Sequence, residues 1–291
     1  MQRSKRLKQI ASITILLVTA ALFTYYFSTH PELWTQLQSI PRGVFITVLL
    51  LNFCVVIALG FVLMATIKLC NISLGPHESI LVTMYSSIIN FFGPLQSGPA
   101  FRAVYFKKKH NLKIKDYTLA TFVYYFLFGG FSGLFLVSGL LGWWMLPLSA
   151  LGIVLVVLAL RTSPNLFSRL QRFSLKAFGY LALATLLQVV IMSIIYFVEL
   201  RSIDSSISFG QAAVYTGAAN FALFVSITPG AIGFREAFLV FSEHLHNISY
   251  QTIIAANVID RSMYIVLLLI LSVVIFGTHA SRKISLKSTT K

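Results

Sequence analysis

Apolar residues in this chain fall into long continuous blocks, not into the alternation of a half-buried strand or the single stripe of a surface helix. Six blocks, residues 10–27, 44–67, 117–140, 143–160, 178–198 and 253–276, are apolar over the ~20 residues that a helix needs to cross a bilayer. Two further apolar regions, 79–106 and 209–245, are broken by "GPLQSGP" and "TPGAIG". Proline removes a backbone donor and glycine weakens a helix, so each region predicts two helical legs around a non-helical tip. Pro94, Gly98 and Pro99 belong to the first tip, and Pro229, Gly230 and Gly233 to the second. The pattern predicts an all-α polytopic membrane protein with six spanning helices and two re-entrant helical hairpins.

Composition agrees with that class. Hydrophobic residues make up 57% of the chain and charged residues 11%, where soluble domains carry about 25% charged. The net charge of +15 is clustered between apolar blocks, which reads as membrane topology and excludes nucleic acid as a partner. If both broken regions return to the side they entered, eighteen of the 23 Lys and Arg share one side. These are Arg3, Lys5, Arg6, Lys8 and Lys68, the five lysines of "KKKHNLKIK", Arg161, Arg169, Arg172, Lys176, Arg282, Lys283, Lys287 and Lys291. Arg42 and Arg201 fall on the other side. The positive-inside bias then predicts an inner-membrane protein with both termini cytoplasmic. The basic head and long apolar run of residues 1–27 read as an uncleaved anchor. Trp143 and Trp144 read as an outer-interface marker, and Cys54 and Cys70 as free thiols.

This order of elements contains a repeat within one transmembrane domain, 1–291. Residues 1–141 and 142–291 each read as helix, helix, hairpin, helix, starting from opposite sides. The segment "YSSIINFFGPLQSGPAFR" (85–102) faces "YTGAANFALFVSITPGAIGFR" (215–235), with Tyr and Asn-Phe in register. Arg102 to Tyr117 and Arg235 to Tyr250 are both 15 residues. Opposed halves with paired broken helices are the pattern of transporters built on inverted repeats.

Arg102, Arg235, Arg261, Glu236 and Asp260 fall within the membrane region, where a charge costs from about 2.5 to more than 10 kcal/mol. They need partners or water. A guanidinium is a planar fork suited to phosphate or carboxylate, and helix N-termini at the tips also favour anions. One reading is a positively biased cavity that contacts an anionic substrate. The other is packing glue, with pairs across helices between Arg235 and Asp260 or between Glu236 and Arg261. Asn90 and Asn220 hold matching places in the hairpins, as interhelical hydrogen bonders or as ligand contacts. No catalytic residue is expected: Ser97 in "LQSGP" has no base nearby, because all six histidines lie in loops or at membrane edges. The cluster Glu243, His244 and His246 lies at a predicted membrane surface without further ligands, so no metal and no cofactor is expected.

At these residues the chain resembles a known family. "TPGAIGFREAFLVF" is similar to the Pro-Gly-Gly-x-Gly-x-Arg-Glu-Ala signature of the lysylphosphatidylglycerol synthase transmembrane-region family, with Ala231 at the second glycine. "SGPAFRAVYFKKKHNLKIKDYTLAT" resembles its first motif, Gly-x-x-x-Arg-Ala followed by a basic run. "AANVIDR" (255–261) is similar to the Ala-rich helix that carries an Arg, here Arg261. The family includes the lipid-flippase domain of the multiple peptide resistance factor and stand-alone membrane proteins. Members usually carry a Glu-Arg pair and an Asp in the helix after the first motif, where this chain has Tyr125, Phe126 and Gly129. The resemblance implies a flippase-like protein handling an anionic phospholipid or polyprenyl-phosphate lipid, its site built from tips 94–102 and 229–236 with Asp260 and Arg261. It does not imply synthase chemistry, because no aminoacyl-transfer domain is expected in these 291 residues. The alternatives are a non-catalytic subunit supporting envelope-synthesis enzymes and, third, a polyprenyl-phosphate-dependent glycosyltransferase. The last would want early outer-loop carboxylates, and residues 29–42 offer only Glu32.

Overall fold

The computed structural model describes residues 40–92, 97–142, 174–225 and 234–281, with isolated positions besides. The expected spans 10–27 and 143–160 lie outside the described residues, as do Trp143, Trp144, Pro94, Pro229, Gly230 and Gly233. Regular structure among the described residues is entirely helical. In chain order it comprises α1 (Arg42–Leu69), α2 (Pro76–Phe92), α3 (Ser97–His110), α4 (Ile114–Leu141) and α5 (Leu175–Ile203). The remaining helices are α6 (Phe209–Val225), α7 (Phe234–Phe241), α8 (Glu243–His246) and α9 (Tyr250–Ser281).

Four of these are long and apolar enough to cross a membrane: Arg42–Leu69, Ile114–Ser138, Leu175–Ile203 and Tyr250–Ile275. They coincide with four of the six expected blocks and extend most of them by a few residues. Several helix ends carry recognisable stops. Asn71, Asn111 and Asn247 follow helix ends with positive φ of 61°, 54° and 53°, the left-handed conformation that asparagine tolerates better than most residues. On α1 the apolar residues Ile46, Leu50, Ile57 and Phe61 are all exposed at helical spacing, an outward stripe suited to lipid.

The first broken region is a closed helical hairpin. At its tip the Ser97 hydroxyl donates to Ile89 O (2.9 Å) and Gly98 N–H donates to Asn90 Oδ1 (3.3 Å). A Cβ on Gly98 would lie 2.7 Å from Ser86 O, so the legs approach closely only because this residue is glycine. At its base, Glu78 Oε1 accepts from Tyr105 OH (2.8 Å), Lys109 Nζ (3.0 Å) and His110 Nε2 (2.8 Å). Residues 78 and 110 are therefore neighbours, and α2 and α3 run antiparallel. The second region folds likewise: α6 packs against α7, and Gln211 Nε2 donates to Asn247 O (3.3 Å) across its base.

Lys68 Nζ sits 5.0 Å from the Tyr180 ring centroid, so the end of α1 meets the start of α5 and the two spans are antiparallel. Cys70 Sγ reaches Asp116 O at 3.6 Å, bringing the start of α4 to the same end. The first hairpin opens at that end. The second opens at the other, where Ile203 packs against Ile254, Ala255 and Val258 of α9. The described chain thus runs long helix, hairpin, long helix twice.

Candidate functional site

A cavity of about 270 Å³ lies at mid-height of the long helices, between the two hairpins. Its floor and walls come from the centre of every long helix: Asn52, Val55 and Leu59 of α1, Tyr124, Tyr125 and Phe128 of α4, and Gln188, Met192, Ile195 and Tyr196 of α5. The first hairpin contributes Thr83, Ser86, Asn90, Gly98, Pro99 and Arg102, the second contributes Leu223 and Arg235, and α9 adds Asp260, Arg261 and Tyr264.

All three membrane-region arginines line this cavity, together with one described carboxylate, Asp260. Arg235 is 3% exposed, and its Nη1 donates to Asp260 Oδ2 at 2.6 Å. Its guanidinium also lies 4.9 Å from the Tyr196 ring centroid, a cation–π contact in a water-poor setting. One of the two cross-helix pairs expected from the sequence is therefore formed, and Arg235 is a structural residue as well as a lining one. The backbone of Glu236 is helical within α7, but its side chain lies outside the described residues. Arg261 is buried at 7% exposure beside that pair. Arg102 also lines the cavity, and its Nε is buried without a hydrogen-bond partner among the described residues. The cavity lining thus carries more positive than negative charge.

The two asparagines separate. Asn90 lines the cavity and caps Gly98 N–H. Asn220 is fully buried elsewhere, where its Nδ2 donates to Ser132 Oγ (2.9 Å) between α6 and α4, so it joins helices and does not reach the cavity. Their matching places along the sequence say nothing about which face each presents. Ser97 is engaged with Ile89 O, and His246 is buried with its Nδ1 accepting from Ile248 N–H (3.2 Å). Neither lines the cavity. Of the three residues at which the chain departs from the usual family pattern, Tyr125 lines the cavity and Phe126 is exposed on the outer surface.

Sequence reasoning missed two polar groups. Glu199 is 1% exposed on α5, with Oε1 lacking a hydrogen-bond partner among the described residues and close enough to Arg235, Asp260 and Arg261 to feel their charge. Beside Arg201 at the end of an apolar block, it reads from sequence as an interfacial acid. Thr83, 1% exposed, presents an unpartnered hydroxyl on the cavity wall. Threonine in an apolar run gives no sequence signal.

Comparison with curated proteins gives no match. The family described as Lysylphosphatidylglycerol synthase TM region matches over residues 9–272, which takes in both hairpins and all four described spans except the last residues of α9. The chain belongs to this family of membrane proteins with lipid-related function.

Proposed function

We propose that this protein binds the headgroup of an anionic lipid in the mid-height cavity and moves it across the membrane, in the manner of a flippase. The observation that carries the reading is the convergence of Arg102, Arg235 and Arg261 on one cavity with a single described carboxylate, already paired. Such an excess of positive charge in a low-dielectric setting is costly unless an anion offsets it. A volume of about 270 Å³ suits a phosphate-bearing headgroup with the acyl chains left outside.

The reading includes six spanning helices, two re-entrant hairpins and an inverted repeat of residues 1–141 and 142–291. Antiparallel α1 and α5, and hairpins opening to opposite ends, support it. It places the chain in the inner membrane with both termini cytoplasmic, acting without a cofactor and not as an enzyme. The Arg235–Asp260 bridge also favours a second reading, a non-transporting subunit that steadies an envelope-synthesis enzyme.

Arg102 separates the two, because, unlike Arg235, it forms no salt bridge among the described residues. Arg102→Ala, purified and reconstituted in liposomes, should lose at least about tenfold of anionic-lipid movement, or ~1.4 kcal/mol. Arg102→Lys should recover part of it, since a point charge lacks the fork. Unchanged lipid movement in a well-folded Arg102→Ala protein would remove the headgroup site, and a wild-type protein that moves no lipid but copurifies with a synthesis enzyme would favour the subunit reading.

A further inference from the structure

One buried acid stands outside the cavity lining. Glu199 of α5 is 1% exposed, and its Oε1 has no hydrogen-bond partner among the described residues. It follows Tyr196, which lines the cavity, by one helical turn, toward the end where the second hairpin opens. A second buried acceptor without a donor, Asn257 Oδ1 of α9, belongs to the same polar cluster. Asn257 Nδ2 donates to Tyr215 OH (3.2 Å), and the Tyr215 ring centroid stands 5.5 Å from that of Tyr196. Buried acceptors are rarely left without a donor, and a neutral carboxylic acid supplies one through its O–H.

Three elements surround this acid with charge. Arg235 of α7 and Asp260 and Arg261 of α9 act on it electrostatically, and Tyr215 of α6 feels Arg235, Asp260 and Glu199 alike. From α1 come Val48 and, at its exposed end, Arg42, and from α4 comes Leu136. Arg201, also exposed, lies over the Phe197 ring. His246, whose ring centroid is 5.6 Å from that of Tyr215, is no rival proton site. Burial holds it below its ordinary value, and its ring nitrogens are engaged by Leu239 O (3.1 Å) and Ile248 N–H (3.2 Å). A metal ion beside Glu199 would be repelled by two guanidiniums, whereas a proton only cancels the carboxylate's own charge.

We propose that Glu199 is a proton-binding site linked to the anion site, so that a proton and an anionic headgroup bind together and a pH gradient drives lipid movement. This rests on the lipid-moving reading above. The proton adds to a Glu199 carboxylate oxygen from water at the end where the second hairpin opens, giving the neutral acid. It returns from that oxygen to water when the headgroup leaves. Ionised Glu199 adds a negative charge that competes with the headgroup for Arg235 and Arg261, so each ligand raises the affinity for the other.

The test places the full chain in phosphatidylcholine liposomes with acyl-labelled phosphatidylglycerol as the probe, at equal pH and under a gradient of either direction. One direction should speed movement by the wild type about fivefold over equal pH. Glu199→Gln should lose that response, and Glu199→Asp should keep part of it. Because glutamine has the shape of the neutral acid, Glu199→Gln should melt with the wild type at neutral pH. Infrared difference spectra of the solubilised wild type on addition of phosphatidylglycerol should show a carboxylic-acid band that Glu199→Gln lacks. Wild-type movement indifferent to the gradient would overturn the coupling, and so would a sodium gradient at equal pH that drives it as well. A response that survives in Glu199→Gln, no infrared difference between the two proteins, or a clear loss of melting temperature in Glu199→Gln would overturn Glu199 as the site. Each of these leaves lipid movement itself standing. No movement by the wild type under any condition would instead overturn the transport reading and this inference with it.

Discussion

Arg235 and Asp260 show how a charge is made tolerable at mid-height: a 2.6 Å bridge, a tyrosine face beneath it and nearly complete burial. Removing one member of a buried pair leaves the other uncompensated, at a typical cost of 3–5 kcal/mol, roughly, whereas replacing both by apolar residues is often neutral. Asp260→Asn should therefore lower the melting temperature of the detergent-solubilised protein by several degrees, and Arg235→Met with Asp260→Leu should recover much of the loss. Thermal unfolding of the three variants checks this, and a double variant no better than the worse single one would show that the pair is not a unit. Which charges fall within the membrane region was legible in the sequence, because Arg102, Arg235, Asp260 and Arg261 stand out against apolar neighbours. Which face each polar residue takes was not: Asn220 resembles Asn90 in its sequence setting yet bonds Ser132, and Glu199 hides behind the look of an interfacial acid.

Among the elements, the spanning helices were the most legible, since length and apolarity alone define them, and α1, α4, α5 and α9 fall where the blocks fall. Hairpin closure was legible only as a break in the pattern. The contacts that close it, Glu78 with Tyr105, Lys109 and His110, link residues 27 to 32 positions apart and have no local signature. Burial pushes the Glu78 carboxyl up, but hydrogen bonds from His110, Lys109 and Tyr105 outweigh it and hold the group below its ordinary value. A depressed carboxylate contributes stability that is present above its unfolded value near 4.5 and fades as pH falls through the folded value. Acidification below about pH 4.5 should accordingly loosen the base of the first hairpin in the wild type. Glu78→Gln should be looser already at neutral pH and show less change on acidification. Hydrogen exchange of residues 76–110 across this pH range reads the difference, and identical profiles for both proteins would rule out the clamp.

Across the whole molecule, the geometry of the first hairpin bears on a choice that hydropathy leaves open. A largely apolar region of 28 residues, 79–106, is long enough to cross once, which would put the lysine loop opposite Lys68. Instead residue 78 touches residue 110, so the chain leaves the hairpin at the end where it entered. Lys68, Lys107, Lys108, Lys109, Lys113, Lys115 and Lys176 then cluster at one end of the described molecule, with Arg42 and Arg201 at the other. On the reading proposed above, the positive-inside rule puts the lysine end in the cytoplasm. Cysteine labelling can test this with little background, since burial and the Asp116 charge push the Cys70 thiol up to about 12, leaving almost no reactive thiolate. Cys54, exposed on the apolar middle of α1, is best replaced by Ala. In right-side-out membranes, a membrane-impermeant maleimide should then modify Ser205→Cys, at the exposed turn after α5, and spare Lys108→Cys until the membrane is opened. The Lys108 change leaves six of the seven lysines in place, so the charge bias that orients the chain survives the probe. Modification of Lys108→Cys from outside in sealed membranes would invert the whole arrangement, and with it the side from which each hairpin presents its arginine to the cavity.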